Sequence, residues 1–415
     1  MDNSAKKELV LLVGDNPLPN YVTAKYLIQR GELAKIVLLH SKDTVSIARN
    51  IENLLSHDGS VEITLAELED ANDRNSILSS LERLRFDNSV HFNYTGGTKV
   101  MAVHVYNYLK EQRKEAEFSY LNSRTYKLVY DDSGSKVSLI NEVDIGVEEM
   151  LHLHSFNKVS ITKNISYEET LKVLEKMILS DQIGEYIKSF QKIFGDDIHD
   201  KKITKLKINS LKEHVKKHWN ADTFREISKH KELCKVINSL PNELPFLENW
   251  EYKAGFCDSL TYKKAKELLL KPLEFMDGKW GDEYVFSIIS TLAEKRELKE
   301  DKIGCSLKAS RQDSKEFDLD DFVIRGYLLT GISVTTSNNI AICKGKAFEV
   351  MMRTSQIGGS ESKAVLLTRL NEEDAKSLER DIQLKPGERS RLKVLSKDQW
   401  KREILTEELE DFIWG

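Results

Sequence analysis

The sequence has few of the residues that build disulfide or zinc frameworks. Its four cysteines, Cys234, Cys257, Cys305 and Cys343, form no C-x-x-C pair and have no histidine cluster beside them. This argues against a zinc site or a disulfide framework, and we expect a reducing, cytoplasmic environment. No apolar run approaches the roughly 20 residues that cross a bilayer. The first residues lead directly into a strand-like segment, so we expect neither a signal peptide nor a membrane span.

An excess of positive charge is also missing. The 415 residues carry a formal net charge of -5, and 31% of them are charged against 40% that are hydrophobic. This balance argues against an unspecific polycation but allows a local basic groove that binds nucleic acid. The length predicts two or three domains, and we place them at residues 1–143, 144–272 and 273–415.

The first 130 residues alternate strand-like and helix-like segments. This alternation predicts a mostly parallel, doubly wound α/β sheet of the Rossmann-like type. The predicted strands are Glu8–Val13, Lys35–His40, Val61–Leu65, Ser89–Tyr94, Ala116–Leu121 and Tyr126–Tyr130. The predicted helices are Tyr21–Arg30, Thr44–Leu55, Asp73–Leu84 and Lys99–Gln112. Ligands of such sheets bind beyond the carboxyl ends of the strands, where the winding reverses.

The most informative motif is Thr95-Gly96-Gly97-Thr98-Lys99, which follows a predicted strand and begins a helix. Glycines let the backbone approach an anion, and a helix N-terminus offers unpaired N–H groups. We therefore predict that this turn binds a phosphate or a nucleotide. The alternative is that the two glycines serve only tight packing of strand against helix. A dinucleotide cofactor is disfavoured, because no G-x-G-x-x-G follows any strand.

Two further loops end predicted strands on the same rim of the sheet. One is Gly14–Asn20, which two prolines stiffen, and the other begins with Ser41 and Lys42. The predicted ligand-binding residues are Gly14, Asn16, Pro17, Leu18, Pro19, Asn20, Ser41, Lys42, Thr95, Gly96, Gly97, Thr98 and Lys99.

The middle region is predicted to be rich in helices, with two basic patches at Lys201–Lys207 and His214–His218. A solvated helical linker is one interpretation, and a surface that faces nucleic acid is the other.

The last 140 residues return to an α/β pattern. We predict a helix at Gly281–Lys295, strands at Gly304–Ala309, Phe317–Arg325 and Leu328–Thr335, a helix at Ala347–Gln356 and a strand at Lys363–Thr368. A helix from Glu372, a strand at Arg391–Leu395 and a helix at Lys397–Ile413 follow. The order of helix, three strands, helix and strand is that of the restriction-endonuclease-like core.

Two of these strands carry polar side chains that a buried strand does not need. Asp318 and Asp320 share one face of a strand, and Ser333 and Thr335 share a face of the next. Carboxylate oxygens suit Mg²⁺ or Mn²⁺, so we predict a divalent metal at Asp320, Asp318 and Glu283. A solvated edge strand would also explain the aspartates, and simple charge pairing at a helix N-terminus would explain Glu283.

The helix that follows these strands begins with further charged residues. Lys346 is placed to hold a scissile phosphate or to position water, and Glu349 is placed to reach the metal. Each of them, taken alone, is also compatible with a solvated surface.

Taken together, the segments Val13–Asn20 and Tyr94–Lys99 and the carboxylate hairpin resemble the CRISPR-associated ancillary nucleases of type III systems. These join an amino-terminal CARF domain to a carboxy-terminal PD-(D/E)XK nuclease domain. The resemblance implies that a homodimer binds a cyclic oligoadenylate, usually the tetraadenylate, across the rim loops. It also implies a metal-dependent nuclease site at Glu283, Asp320 and the end of the strand Leu328–Thr335.

The chain departs from the resemblance at one place. Ser333-Val334-Thr335 stands where the family has Glu-x-Lys. Some relatives carry a similar Ser-x-Thr with a lysine and a glutamate on the following helix, so Lys346 and Glu349 are candidates for the missing roles.

The first hypothesis is therefore a ligand-activated nuclease that acts on RNA, single-stranded DNA or duplex DNA. A non-catalytic sensor with a degenerate nuclease fold is the second. The third is an enzyme that degrades the ring, and the fourth is a metabolic nucleotide-binding protein.

Overall fold

A computed structural model describes residues 6–56, 59, 61–199, 221–240, 247–248, 251–252, 261, 264, 271–311, 316–382 and 391–415. Both basic patches of the middle region, Lys201–Lys207 and His214–His218, lie outside these residues. Within the described ranges, every helix is too short or too polar to span a bilayer.

A seven-stranded sheet forms the first part of the chain. Its strands are β1 Lys7–Leu12, β2 Leu33–His40, β3 Glu62–Glu67, β4 Val90–Asn93, β5 Glu117–Asn122, β6 Lys127–Tyr130 and β7 Lys136–Ser138. Four helices cover it: α1 Leu18–Gln29, α2 Val45–Leu55, α3 Arg74–Glu82 and α4 Lys99–Gln112. The order β3-β2-β1-β4-β5-β6-β7 is parallel from β3 to β5. The predicted doubly wound α/β fold is confirmed, and the winding reverses between β1 and β4.

Helix α1 begins at Leu18 rather than at the predicted Tyr21. Pro17 is the N-cap residue, and just before it Asn16 Oδ1 accepts a hydrogen bond from Leu18 N, the first N–H of the helix, at 3.2 Å. A proline in the first turn fits this start, since its missing N–H has no helical partner to lose. Pro19 and Asn20 are therefore helical and buried rather than parts of an open loop.

The segments after the first sheet run into the second. They are α5 Leu139–Glu142, α6 Val147–Leu153, β8 Asn157–Thr162, α7 Glu168–Leu179, α8 Ile183–His199, α9 Ala221–Ile227, α10 Lys231–Asn238 and the strand pair β9 Leu247–Glu248 and β10 Glu251–Tyr252. Strand β8, in the stretch that the sequence assigns to a connecting region, is an edge strand of the second sheet. Its polar, largely exposed residues gave no strand signal.

A six-stranded mixed sheet forms the last part, in the order β15-β14-β13-β12-β11-β8. Its remaining strands are β11 Ile303–Ser310, β12 Phe317–Arg325, β13 Leu328–Val334, β14 Lys363–Leu367 and β15 Leu392–Leu395. The helices are α11 Trp280–Lys295, α12 Ile340–Gly358, α13 Glu372–Ile382 and α14 Arg402–Trp414. This is the predicted order of elements. Helix α12 begins at Ile340 rather than Ala347, because Asn339 caps it by accepting from the N–H groups of Ala341 and Ile342.

The two sheets share a hydrophobic core, with a buried lysine at their joint. One apolar cluster contains Leu9 and Leu38 of the first sheet as well as Leu307 and Phe322 of the second. Lys302, which is 1% exposed, donates to the carbonyl of Ile145 and pairs with Asp144 at 2.5 Å. Burial lowers the pKa of Lys302, while Asp144 opposes that shift. The lysine thus ties the start of β11 to the end of the first domain.

We expect Lys302→Met to lower the free energy of unfolding by about 3 kcal/mol, since it leaves the partners of a buried charge unpaired. Lys299 is the matched control, because it pairs with the same Asp144 but is largely exposed. Urea unfolding of both variants checks this. Equal, small effects of the two substitutions would show that the buried pair does not hold the joint.

Candidate functional site

A polar cavity opens between β12, β13 and α12. Its volume is about 300 Å³. It is lined by Glu316, Phe317, Asp318, Leu319, Asp320, Ser333, Lys346, Glu349, Val350 and Arg353. Five of the predicted catalytic or metal-binding residues therefore meet in one place.

Asp320 and Ser333 are cross-strand neighbours at the floor of this cavity. The antiparallel register pairs Asp321 with Ile332, which sets Asp320 opposite Ser333. Ser333 Oγ donates to Asp320 Oδ2 at 2.5 Å. Burial raises the pKa of Asp320, while the Ser333 hydrogen bond and the charge of Lys346 oppose that rise. Ser333 thus orients the carboxylate rather than adding a second acid.

Lys346 and Glu349 form the wall opposite the strands. They lie one turn apart on α12 and pair at 3.1 Å. Burial tends to lower the pKa of Lys346, but the carboxylates of Glu349 and Asp320 outweigh it and raise that pKa. The ammonium group therefore stays charged beside Asp320, as an anionic substrate would require.

Thr335 and Glu283, the other two predicted residues, do not line the cavity, and Asp318 lies only at its mouth. Asp318 is exposed at the mouth of the cavity, 3.9 Å from Lys308. Thr335 follows β13, and its hydroxyl accepts from Ser337 N rather than lining the cavity. Glu283 is 1% exposed, and its Oε2 accepts from Ser166 N at 2.7 Å. One oxygen of this carboxylate is thus bound to backbone, whereas the buried Oε1 has no hydrogen-bond partner among the described residues.

The acid of α11 whose pKa responds to the charge of Asp320 is Asp282, which the sequence pattern did not single out. Burial raises the pKa of Asp282, and the charge of Asp320 raises it further. Gly281 permits this approach, since a Cβ there would lie 2.8 Å from Val334. A helical wheel would have distinguished the two acids. It places Glu283 on the buried face with Trp280 and Tyr284, and Asp282 off that face.

Asp321 adds a fully buried carboxylate on the other face of β12. Neither of its oxygens has a hydrogen-bond partner among the described residues. Burial raises its pKa, and the charges of Asp282 and Asp320 add to that effect. Because β12 is paired on both sides, the interpretation as a solvated edge strand is wrong.

The donor set is compatible with a divalent cation. Asp320 offers hard oxygens inside the cavity, and Asp282, which does not line it, is near enough for the two charges to interact. A cation between them would relieve their mutual repulsion. No group of three metal-binding His, Cys, Asp or Glu side chains occurs within the described part of the chain. Magnesium is commonly held by one or two carboxylates, with water and substrate phosphate completing its shell. The residues therefore fit a metal that is shared with substrate.

The second candidate site is the rim at the carboxyl ends of β1 and β4. Here the glycines make close contacts: a Cβ on Gly96 would lie 2.1 Å from Leu12 O, and one on Gly14 would lie 3.0 Å from Gly97 N. Gly97 also has a positive φ of 69°. The glycines therefore do serve tight packing, and the same contact brings the two loops together.

The predicted rim residues divide by exposure. Lys42, Thr98 and Lys99 are exposed, and Asn16 and Ser41 are partly exposed. Pro17, Leu18, Pro19 and Asn20 are buried, and Asn20 Nδ2 donates to Leu12 O at 2.7 Å. The Thr95 hydroxyl donates to Asn93 and accepts from Leu121 N. Of the predicted ligand-binding side chains, those of the two lysines, Asn16, Ser41 and Thr98 thus reach the surface of the rim.

Asn16 joins the rim to the second domain. Its Nδ2 donates to Glu361 Oε2 at 2.7 Å and to Ser360 Oγ at 3.2 Å. The amide lies against Gly359, where a Cβ would be 2.6 Å from Asn16 Oδ1. Glu361 is 7% exposed. This Asn16–Glu361 contact holds the rim loop against the end of α12, the helix that carries Lys346 and Glu349.

Comparisons with known proteins agree with this architecture. Residues 9–149 match the family model of the Card1 CARF domain, so the predicted CARF-like amino-terminal domain is confirmed. Protein VC1899 from Vibrio cholerae has the same fold, with a TM-score of 0.65 at 13% identity, over 97% of this chain and 98% of that one. Can2 from Sulfobacillus thermosulfidooxidans, solved with cyclic tetra-adenylate, matches with a TM-score of 0.63 at 15% identity, over 98% and 99% of the two chains. No curated protein sequence matches the chain.

We expect Gly96→Ala to destabilise the first domain by about 2 kcal/mol or more, because the added methyl group overlaps Leu12 O. Gly134→Ala is the control, since Gly134 has a φ of 63° but open space around it. That control should show only the cost of about 1 kcal/mol for a left-handed residue. Denaturant unfolding measures both, and a neutral Gly96→Ala would contradict the close contact.

Proposed function

We propose that the protein is a cyclic oligoadenylate-activated, metal-dependent nuclease of type III CRISPR defence that acts in the cytoplasm. The observation that carries this proposal is the cavity in which Asp320, Ser333, Lys346 and Glu349 converge on a mixed sheet behind a CARF domain. We assign residues 1–143 to the CARF domain, 144–272 to a connecting region that also contributes β8 to the second sheet, and 273–415 to a restriction-endonuclease-like domain.

Cyclic tetraadenylate is the proposed activator. The Can2 structure, which shares the fold, contains that ring. Lys42 and Lys99 are exposed on one rim of the sheet, so their ammonium groups are accessible to phosphates. A ring of four identical nucleotides is matched by two copies of this rim, which favours a homodimer with twofold symmetry.

The proposed reaction is hydrolysis of a phosphodiester bond in RNA or DNA. Asp320 and Asp282 would hold Mg²⁺ or Mn²⁺, and such an ion polarises the phosphodiester and lowers the pKa of the attacking water. Lys346 offsets negative charge that develops on the phosphoryl oxygens. Ser333 keeps Asp320 oriented through its hydrogen bond. Water adds to phosphorus, the bond to the leaving oxygen breaks, and that oxygen takes up a proton.

Activation follows from the Asn16–Glu361 contact. Both hydrogens of the Asn16 amide are engaged by Ser360 and Glu361. A ring phosphate that accepts from Asn16 must break at least one of these bonds, and it brings negative charge towards the buried Glu361. Ligand binding therefore shifts the equilibrium between two positions of the end of α12. Lys346 and Glu349 move with that helix.

A non-catalytic sensor is the second candidate. It is favoured by Ser333 and Thr335, which replace an acid and a lysine, and by the lack of a three-ligand metal cluster in the described part of the chain. In that case the cavity would bind nucleic acid without cleaving it.

We expect the wild-type chain to cleave labelled RNA, single-stranded DNA or supercoiled plasmid only with both Mn²⁺ or Mg²⁺ and cyclic tetraadenylate. Asp320→Asn and Asp282→Asn should each lower the cleavage rate by about 100-fold or more. Each factor of ten corresponds to about 1.4 kcal/mol of activation free energy. Thr335→Ala, outside the cavity, is the control and should stay within a few-fold of wild type.

Two further results separate the candidate functions. Tight ring binding without cleavage of any substrate would favour the sensor. Loss of intact ring over time in the same reactions would identify a ring-degrading activity, and failure to bind any oligoadenylate would refute the proposal altogether.

We expect Glu361→Gln to bind cyclic tetraadenylate about tenfold more tightly, since a neutral amide holds Asn16 more weakly and does not repel phosphate. Its stimulation by the ring should be smaller than that of wild type. Titration calorimetry and cleavage rates measure both effects, with the exposed Glu373→Gln as control. An unchanged dissociation constant would show that ring binding does not compete with the Asn16–Glu361 contact.

A further inference from the structure

Among the described residues, Arg353 is the only arginine that lines the polar cavity, and nothing in the proposed reaction uses it. It lies seven positions after Lys346 on the same face of α12, which is about 10 Å along the helix axis. Its guanidinium therefore lies farther along α12 than Lys346, where it contacts the Phe317 ring.

The guanidinium is held in place, but not all of its donors are paired. It stacks over the Phe317 ring at 4.8 Å from the centroid, and Nη1 reaches Gln356 Oε1 only at 3.4 Å. Its buried Nε–H has no hydrogen-bond partner among the described residues. Glu349, one turn away, is paired with Lys346 instead. A fixed arginine without an acidic partner is an anion site, because its planar fork matches the oxygens of a phosphate.

We propose that Arg353 binds a phosphate of the substrate next to the one that is cleaved. The inference rests on the proposed nuclease function and specifies its substrate class: a polynucleotide strand with at least two consecutive phosphates. Lys346 serves the scissile phosphate beside Asp320, and Arg353 serves its neighbour. A small diester with a single phosphate uses the first position and leaves Arg353 without a ligand.

The competing explanation is structural, namely that Arg353 only stacks on Phe317. Arg311 provides a matched control for that explanation, since its guanidinium stacks on Phe156 at 4.2 Å and lies outside the cavity. Arg353→Gln and Arg311→Gln both remove a stacked cation, but only the first removes a charge from the cavity. Arg353→Lys keeps the charge and loses the planar fork.

The first measurement is binding of a fluorescent single-stranded oligonucleotide in EDTA, where metal-dependent cleavage is absent, over a series of salt concentrations. We expect Arg353→Gln to weaken binding about tenfold and to reduce the slope of log K against log salt by about 0.7, the value for one phosphate of a single strand. Arg353→Lys should retain the slope while binding several-fold more weakly, and Arg311→Gln should match wild type.

The second measurement compares two substrates in the presence of metal and ring. For the oligonucleotide, Arg353→Gln should raise KM about tenfold with kcat within about twofold. For bis(p-nitrophenyl) phosphate, which has one phosphate, both constants should stay near wild type. Equal losses on both substrates, or an unchanged salt slope in Arg353→Gln, would overturn the inference in favour of a structural role.

Two checks keep the result interpretable. If Arg353→Gln lowers Tm by several degrees, the comparison with wild type is made with Arg353→Lys instead. A KM and an affinity for the strand equal to those of wild type in Arg353→Lys would count against bidentate binding. If wild type neither binds nor cleaves any strand, the proposed nuclease function is wrong, and this inference is wrong with it. If wild type cleaves the strand and the Arg353 variants cleave and bind it as wild type does, the proposed function stands and only this inference is wrong.

Discussion

The close packing of α12 against β13 is the constraint on which both candidate sites depend. The helix buries Cys343, Ala347, Val350, Thr354 and Ile357. Two glycines allow the helix to approach β13 closely. A Cβ on Gly331 would be 2.1 Å from Thr354 Oγ1, and one on Gly358 would be 2.7 Å from Leu329. Because interiors are packed at crystal density, a helix held this way moves as one body. Its polar face over β12 and its end beside Asn16 are therefore fixed together.

The same packing explains how the molecule tolerates buried acids. Asp282, Asp320 and Asp321 are brought together by β12 and the first turn of α11, and their pKa values are all raised. Removing carboxylates from water is costly unless hydrogen bonds, cations or protons compensate. Ser333 and Lys346 compensate Asp320 in part. The negative charge of the three carboxylates that remains uncompensated favours a bound cation, as is expected of a site for a metal and a phosphodiester.

Sequence reasoning succeeded where local periodicity determines structure and failed where long-range packing does. The predicted strands of both sheets followed from the alternation of polar and apolar residues, whereas the register that sets Asp320 opposite Ser333 did not. Local patterns did not reveal β8, which has polar residues and pairs with a strand far along the chain. Burial of Glu283 and Asn20, and the roles of Asp282 and Glu361, depend on which elements approach each other. Only tertiary contacts decide that, because adjacent residues on a helix point in different directions.

The position of the candidate catalytic lysine has a consequence for regulation in the proposed nuclease. A lysine on β13 would be fixed by hydrogen bonds to β12 and β14 and would respond little to the first domain. Lys346 instead belongs to α12, whose end contacts the ligand rim through Gly359, Ser360 and Glu361. Moving the cation from strand to helix therefore places it on an element that touches both sites. In the proposed nuclease, a lysine at this position would therefore link the candidate active site to the rim through a single helix.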